Sequence, residues 1–164
     1  MPVLRFDPTT SDWVVFAPSR KFRPHDGHSK PAPESAAVSV VANCPFCAGN
    51  EALTPQEIYS VPETSGGAAR WKVRVVPNKF PALRIEESPA RVAEGGSFHS
   101  MGGCGAHEVI VESPDHSRHL SQQPLEQINA VLRTLQARYQ DLMRDPRFQT
   151  VIIFKNHGAA AGTS

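Results

Sequence analysis

Between Gln122 and Met143 the apolar residues Leu125, Ile128, Leu132, Leu135, Tyr139 and Leu142 recur at three- and four-residue steps. That period places them on one face of an amphipathic helix. Asp145-Pro146 ends it, because the residue before a proline is pushed out of helical geometry. The other apolar runs are short. Trp13 to Phe16 reads as a strand closed by Pro18, and WKVRVVP (Trp71 to Pro77) has the β-branched chemistry of another. In HEVIVES (His107 to Ser113) Ile110 opposes Val109 and Val111, which predicts a strand covered on both faces. QTVIIFKN (Gln149 to Asn156) is a further strand running into a glycine- and alanine-rich turn. Strands flanking one long helix predict an α+β domain with a mainly antiparallel sheet. The Pro-, Gly- and Ser-rich stretches 24–42 and 84–104 read as loose loops, and Gly66-Gly67 as a turn. GNEALTPQEIYSVP, between them, is too interrupted to assign.

The chain has 164 residues, 40% apolar, enough for one domain with a real core. Lysine plus arginine (17) nearly balance aspartate plus glutamate (16), so the net charge argues for neither a nucleic-acid nor a membrane surface. Any anion must be met locally. Arg5 and Asp7 stand where a signal peptide needs an apolar run, and no stretch approaches the ~20 apolar residues of a membrane span. A cytoplasmic location is expected, and with it reduced cysteines rather than a disulfide scaffold.

Two of the three cysteines form CPFC (Cys44, Cys47). Thiolates three positions apart can share one tetrahedral ion, with two more ligands drawn from elsewhere. Cys104, His107, His116, His119 and His157 are available, so the spacing alone leaves the set open between Cys2His2 and mixed types, or a plain turn with two thiols. His116 lies just past a strand, where a turn can aim its imidazole at a neighbouring loop; His107, at a strand start, reads as a packing or edge residue; His25 and His28 read as solvated. The last stretch, NHGAAAGTS, fails the Walker pattern, since three alanines separate Gly158 from Gly162 and Thr163 stands where lysine should. Small residues still let backbone N–H groups approach an anion, with Asn156 and Ser164 able to complete the cradle. Arg20 and Arg23 can supply the positive charge, because a planar guanidinium fork suits phosphate oxygens.

Taken in order, DPTTSDWVVFAPSRKFRP, CPFCAGNE, WKVRVVPNKFPAL, GAHEVIVESPDHS and FKNHGAAAGTS make the chain resemble the amino-terminal half of the galactose-1-phosphate uridylyltransferase family of the histidine-triad superfamily. The CPFC and HEVIVESP wording is similar to the branch that includes ADP-glucose phosphorylase. The resemblance implies a histidine-triad-like α+β fold, an antiparallel sheet packed with helices. It also implies ping-pong transfer through a nucleotidyl-histidine, between a nucleotide sugar such as UDP-glucose or UDP-galactose and a hexose 1-phosphate. By the same resemblance Cys44, Cys47 and His116 match three zinc ligands, and Asn156 and Ser164 match residues that hold phosphate oxygens. Arg20 and Arg23 match a basic pair near the substrate phosphates; Asn78 and Phe80 match the nucleoside side, with Phe46 an apolar wall. The family's fourth zinc ligand and its nucleophile lie in a His-x-His-x-Gln motif just after the serine matching Ser164. This sequence contains no such motif, so a fragment or a truncated gene is expected, with no catalytic nucleophile of its own and with homodimerisation only a family expectation.

Three functions follow as expectations. The first is uridylyl transfer between UDP-glucose and hexose 1-phosphate. The second keeps the chemistry with an adenine nucleotide, as in ADP-glucose phosphorolysis. The third is a zinc-knuckle binding module without catalysis, against which the balanced charge and the lack of a basic, aromatic-rich surface both stand.

Overall fold

The computed structural model describes residues 1–23, 39–64, 66 and 70–156. Among the described residues seven strands form two antiparallel sheets, beside one α-helix. In the first, β1 (Val3–Asp7) and β2 (Asp12–Phe16) make a hairpin whose turn is held by Asp7, which accepts hydrogen bonds from the backbone N–H and hydroxyl of Thr9. β5 (Arg91–Gly95) and β6 (Phe98–Gly102) make a second hairpin, and β6 pairs with β1 to give the order β2-β1-β6-β5. The second sheet places β4 (Trp71–Pro77) between β3 (Tyr59–Pro62) and β7 (Glu108–Val111). Helix α1 (Leu125–Leu142) packs against β3 and β4.

The core sits on β4. Val73, Val75 and Val76 are fully buried, with Trp71, Val111 and Val131 around them. A strand buried along both faces needs a largely apolar run, and WKVRVVP supplies one interrupted by Lys72, which is half-buried, and by Arg74. That arginine is 2% exposed. It bonds Glu57 at 2.9 Å and Thr54 at 3.1 Å, and its guanidinium stands 5.5 Å from the Trp71 ring.

Three sequence expectations are corrected. The stretch 84–104 is not loose: it carries β5 and β6, and Gly102 and Gly103 mark close backbone approach, while Gly95 and Gly96 turn the hairpin with positive φ. A Cβ on Gly102 would come within 2.6 Å of the Ser88 carbonyl, and Arg84 N–H bonds the Gly103 carbonyl at 2.8 Å. Of the other expected loop, 24–38 lies outside the described residues, while Val41 and Ala42 are tied down by Asn50. Second, the run from Gln149 to Asn156 forms no strand, and Ile152, Ile153 and Phe154 are exposed: its β-branched chemistry finds no ladder partner among the described residues. Third, α1 seats only part of its apolar row. Ile128, Leu135 and Leu142 are half-buried beside the buried Val131 and Thr134, whereas Leu125, Leu132 and Tyr139 are exposed.

Polar bonds account for that seating of α1. Gln127 donates to the Lys72 and Glu112 carbonyls at 2.8 and 2.6 Å, and Arg138 grips Glu108 with two bonds of 2.8 and 2.9 Å. Thr134 satisfies its buried hydroxyl by donating to the Ala130 carbonyl. No described helix is long and apolar enough to cross a membrane.

Candidate nucleotide site and metal cluster

The CPFC segment folds as a chain of tight turns: Cys44 N–H bonds the Val41 carbonyl, Cys47 N–H that of Cys44, and Asn50 N–H that of Cys47. Asn50 fixes the knuckle from inside. Its side-chain amide donates to the carbonyls of Cys44 (2.8 Å), Ala42 (3.0 Å) and Val41 (3.1 Å). Glu51 anchors the following turn by accepting the Trp71 indole N–H at 2.8 Å and the Gly49 N–H at 3.2 Å; the indole bond holds its carboxyl below the ordinary range. The knuckle is thereby bolted to β4, the most buried strand.

His116 reaches the knuckle from the turn after β7, and its backbone N–H bonds the Ser39 carbonyl. Its Nδ1 lies 3.4 Å from Cys47 Sγ, and the ligand atoms of Cys44, Cys47 and His116 all fall within 4.8 Å of one another. Two sulfurs and one imidazole nitrogen at this spacing fit three corners of a tetrahedral metal site. Burial pushes the Cys47 thiol up, and Cys44 beside it adds to the rise, while the Val41 N–H on Cys47 Sγ opposes it. A cation between the sulfurs is the arrangement that would favour both thiolates. The cluster could therefore hold a metal ion.

A second cluster forms at the opposite end of β7. Pro77 pairs with Glu108, and Asn78 N–H bonds the His107 carbonyl at 2.8 Å, so the PNKFPAL loop leaves β4 directly beside the start of β7. Asn78 Oδ1 accepts the Phe80 N–H at 2.8 Å, closing a tight local turn. Arg20, on the short 3-10 helix Pro18–Phe22, donates to the Phe80 carbonyl at 2.8 Å across sixty residues of sequence. His107 receives the Ala82 N–H on Nδ1 at 2.9 Å. Burial, and then the charges of Arg20 and Arg23, hold its imidazole below the ordinary 6.5.

The structure thus brings Arg20, Asn78 and Phe80 together, with Arg23 close enough to act on His107. Cys44, Cys47 and His116 form a separate group, and Phe46 stands within it, 37% exposed. Asn156 is exposed and follows Lys155, which pairs with Glu112 beyond the far end of β7; among the described residues no hydrogen bond joins Asn156 to the arginines. Ser164, His157 and the rest of the terminal turn lie outside the described residues. Sequence reasoning read His107 as a packing or edge residue and passed over Asn50. Neither carries a local signal, because His107 acts on residues 25 and 29 positions away and Asn50 on backbone carbonyls.

The family model described as galactose-1-phosphate uridyl transferase, N-terminal domain, matches residues 1–164. The chain belongs to that family. ADP-glucose phosphorylase of Arabidopsis thaliana is 37% identical over 99% of the chain and 45% of that protein; galactose-1-phosphate uridylyltransferase of Haemophilus influenzae is 31% identical over 99% and 44%. The chain therefore spans a little under half the length of the curated relatives it matches. Among solved structures, the Arabidopsis ADP-glucose phosphorylase with bound ADP-glucose superposes with a TM-score of 0.61 at 32% identity, covering 100% of this chain and 45% of that one. A uridylyltransferase mutant structure superposes at 0.54 with 27% identity, over 89% and 36%. The fold is that of this family: antiparallel sheets with one long helix.

Proposed function

We propose that this chain is the substrate-binding half of a nucleotidyltransferase that acts on a nucleotide sugar. The observation that carries the reading is the clasp between Arg20 and the Phe80 carbonyl, which sets a guanidinium pair beside the Asn78 turn. Arg20 spends one N–H on the loop, leaving the other donors of its fork for phosphate oxygens. Asn78 and Phe80 then shape the nucleoside side, and Phe46 offers an apolar wall from the knuckle. By the family resemblance Asn156 and Ser164 would contact the phosphates.

The chemistry in this reading is displacement at the α-phosphorus. A histidine nitrogen attacks, the bond to the bridging oxygen breaks, and the sugar phosphate leaves with that electron pair. An oxygen of a second phosphate then displaces the histidine. This chain's arginines hold and neutralise the diphosphate through both steps. No His-x-His-x-Gln occurs in these 164 residues, and no residue of this chain is assigned the nucleophile's role. Cys44, Cys47 and His116 would hold zinc, which when bound locks the knuckle as a rigid wall. A reducing, cytoplasmic setting suits the three free cysteines.

Between uridylyl and adenylyl transfer, the higher identity to ADP-glucose phosphorylase favours the adenine nucleotide. The test is a comparison of UDP-glucose and ADP-glucose as donors, each with galactose 1-phosphate or inorganic phosphate as acceptor, on the protein carrying this chain. Consumption of ADP-glucose with phosphate supports the adenylyl reading, and consumption of UDP-glucose with galactose 1-phosphate supports uridylyl transfer. Binding of metal with affinity for neither nucleotide sugar would favour a non-catalytic zinc knuckle.

A further inference from the structure

The loop that leaves β4 is tied at both ends by backbone hydrogen bonds to the stretch leading into β7. Asn78 N–H bonds the His107 carbonyl at 2.8 Å at one end; at the other, Arg84 N–H bonds the Gly103 carbonyl at 2.8 Å and Gly105 N–H the Arg84 carbonyl at 3.1 Å. The residues between, 79–83, have few donors to spare, because Pro81 has no N–H. Their first half is closed locally by Asn78 Oδ1, which accepts the Phe80 N–H, and from outside by Arg20, which donates to the Phe80 carbonyl. Among the described residues the second half is held by one hydrogen bond, from Ala82 N–H to His107 Nδ1 at 2.9 Å. A backbone N–H can only donate, so Nδ1 must keep its lone pair free for that bond, whatever Nε2 does. Gly105 lets the two segments lie this close: a Cβ there would stand 2.7 Å from Leu83 Cδ1.

We propose that His107 is the positioning residue of the nucleoside-side loop: its backbone carbonyl fixes Asn78 and its ring fixes Ala82, so that the Phe80 carbonyl between them stays where Arg20 grips it. The role rests on the nucleotide-sugar reading above and deepens it. His107 touches no substrate; it acts through the loop, and through the loop on the arginine. Protonation is the natural perturbation, since a proton on Nδ1 sets two donors face to face and releases Ala82. Arg20 and Arg23, on the short 3-10 helix and at its C-terminal cap, are the charges that act on the ring, and both oppose that proton. Glu108, next on β7, is occupied by Arg138, and Lys79, in the loop, is exposed. Two effects of acid therefore compete at the site. An added positive charge alone would strengthen binding of a diphosphate, whereas a released loop would weaken it. If the ring positions the loop, the second wins.

Calorimetric binding of ADP-glucose to the protein carrying this chain, from about pH 7.5 to 5, tests the assignment, because a doubly esterified diphosphate keeps its charge over that range. Affinity should fall about three- to tenfold on acidification, the loss of one hydrogen bond that holds the loop. His107→Asn puts an amide oxygen near the place of Nδ1 and cannot titrate, so it should keep most of the affinity at the upper pH and lose the acid-dependent fall. His107→Phe should bind about three- to tenfold more weakly at the upper pH and show no such fall. Should UDP-glucose be the nucleotide sugar bound, it replaces ADP-glucose with the same outcomes. Affinity unchanged or raised on acidification, or a fall that His107→Asn retains in full, overturns the positioning role and leaves the nucleotide-sugar reading standing. Binding of neither ADP-glucose nor UDP-glucose overturns the two together. The pH profile is read on the unaltered protein, so the test survives a variant that fails to fold.

Discussion

Removing the Asn50 amide should loosen the metal knuckle more than any other single truncation near it. Three carbonyls surround Asn50 Nδ2, at 2.8, 3.0 and 3.1 Å, but the amide has only two hydrogens, so two full hydrogen bonds are at stake. At about 1 kcal/mol net for each, Asn50→Ala should cost about 2 kcal/mol. In a chain of this length that lowers the melting temperature by roughly 4–8 °C. Asn50→Asp keeps the shape and puts a carboxylate against the three carbonyls, so it should cost more than alanine. Because the same carbonyls orient the segment that carries Cys44 and Cys47, zinc affinity measured by chelator competition should fall about 10–100-fold. Melting temperature and zinc affinity both unchanged in Asn50→Ala would refute the claim that this side chain organises the knuckle. An Asn50→Asp chain more stable than Asn50→Ala would refute the orientation assigned to the amide.

Further outcomes are expected elsewhere. Arg74→Met removes the Glu57 and Thr54 bonds at once; since Glu57 is 43% exposed and can rehydrate, urea unfolding should show a loss of about 2–3 kcal/mol, less than a fully buried ion pair would give. Arg138→Lys should destabilise by about 1–2 kcal/mol in the same assay, because an ammonium cannot reproduce the two-bond fork on Glu108. Asp145 is lowered to about 2 by the Arg147 side chain and backbone, so its contribution to stability is present above 3.8 and is lost as pH falls through about 2. Arg147→Ala should return its titration, followed by carboxyl NMR, toward 3.8. The His107 imidazole is held below 6.5, so the unfolded chain binds its proton first. Its contribution is present above pH 6.5 and declines on acidification, and His107→Phe should flatten that part of the stability profile in urea titrations from pH 7.5 to 5.

The elements legible in the sequence were those whose residues interact with near neighbours. WKVRVVP was read to the residue, and the helix to within three residues at its start, because each is one continuous pattern. The helix face was read only in part because apolar periodicity cannot weigh Gln127 and Arg138, whose partners lie on β4 and β7. The β5–β6 hairpin was hidden because glycine reads as looseness when its partner, the Ser88 backbone, is not yet known. For the site, the spacing of Cys44 and Cys47 announced a metal chemistry and the family resemblance named His116, which the structure brings to the two sulfurs. The role of His107 had no linear trace: a histidine at a strand start is ordinary until Ala82 and Asn78 fold against its two nitrogens.

The account turns on where a nucleotide sugar sits, and a crystal structure of the chain with ADP-glucose measures that directly. It predicts the diphosphate within hydrogen-bond distance of Arg20 and the nucleoside against the Asn78–Phe80 loop. A nucleotide sugar ordered against other residues, with Arg20 still bound only to the Phe80 carbonyl, would contradict it.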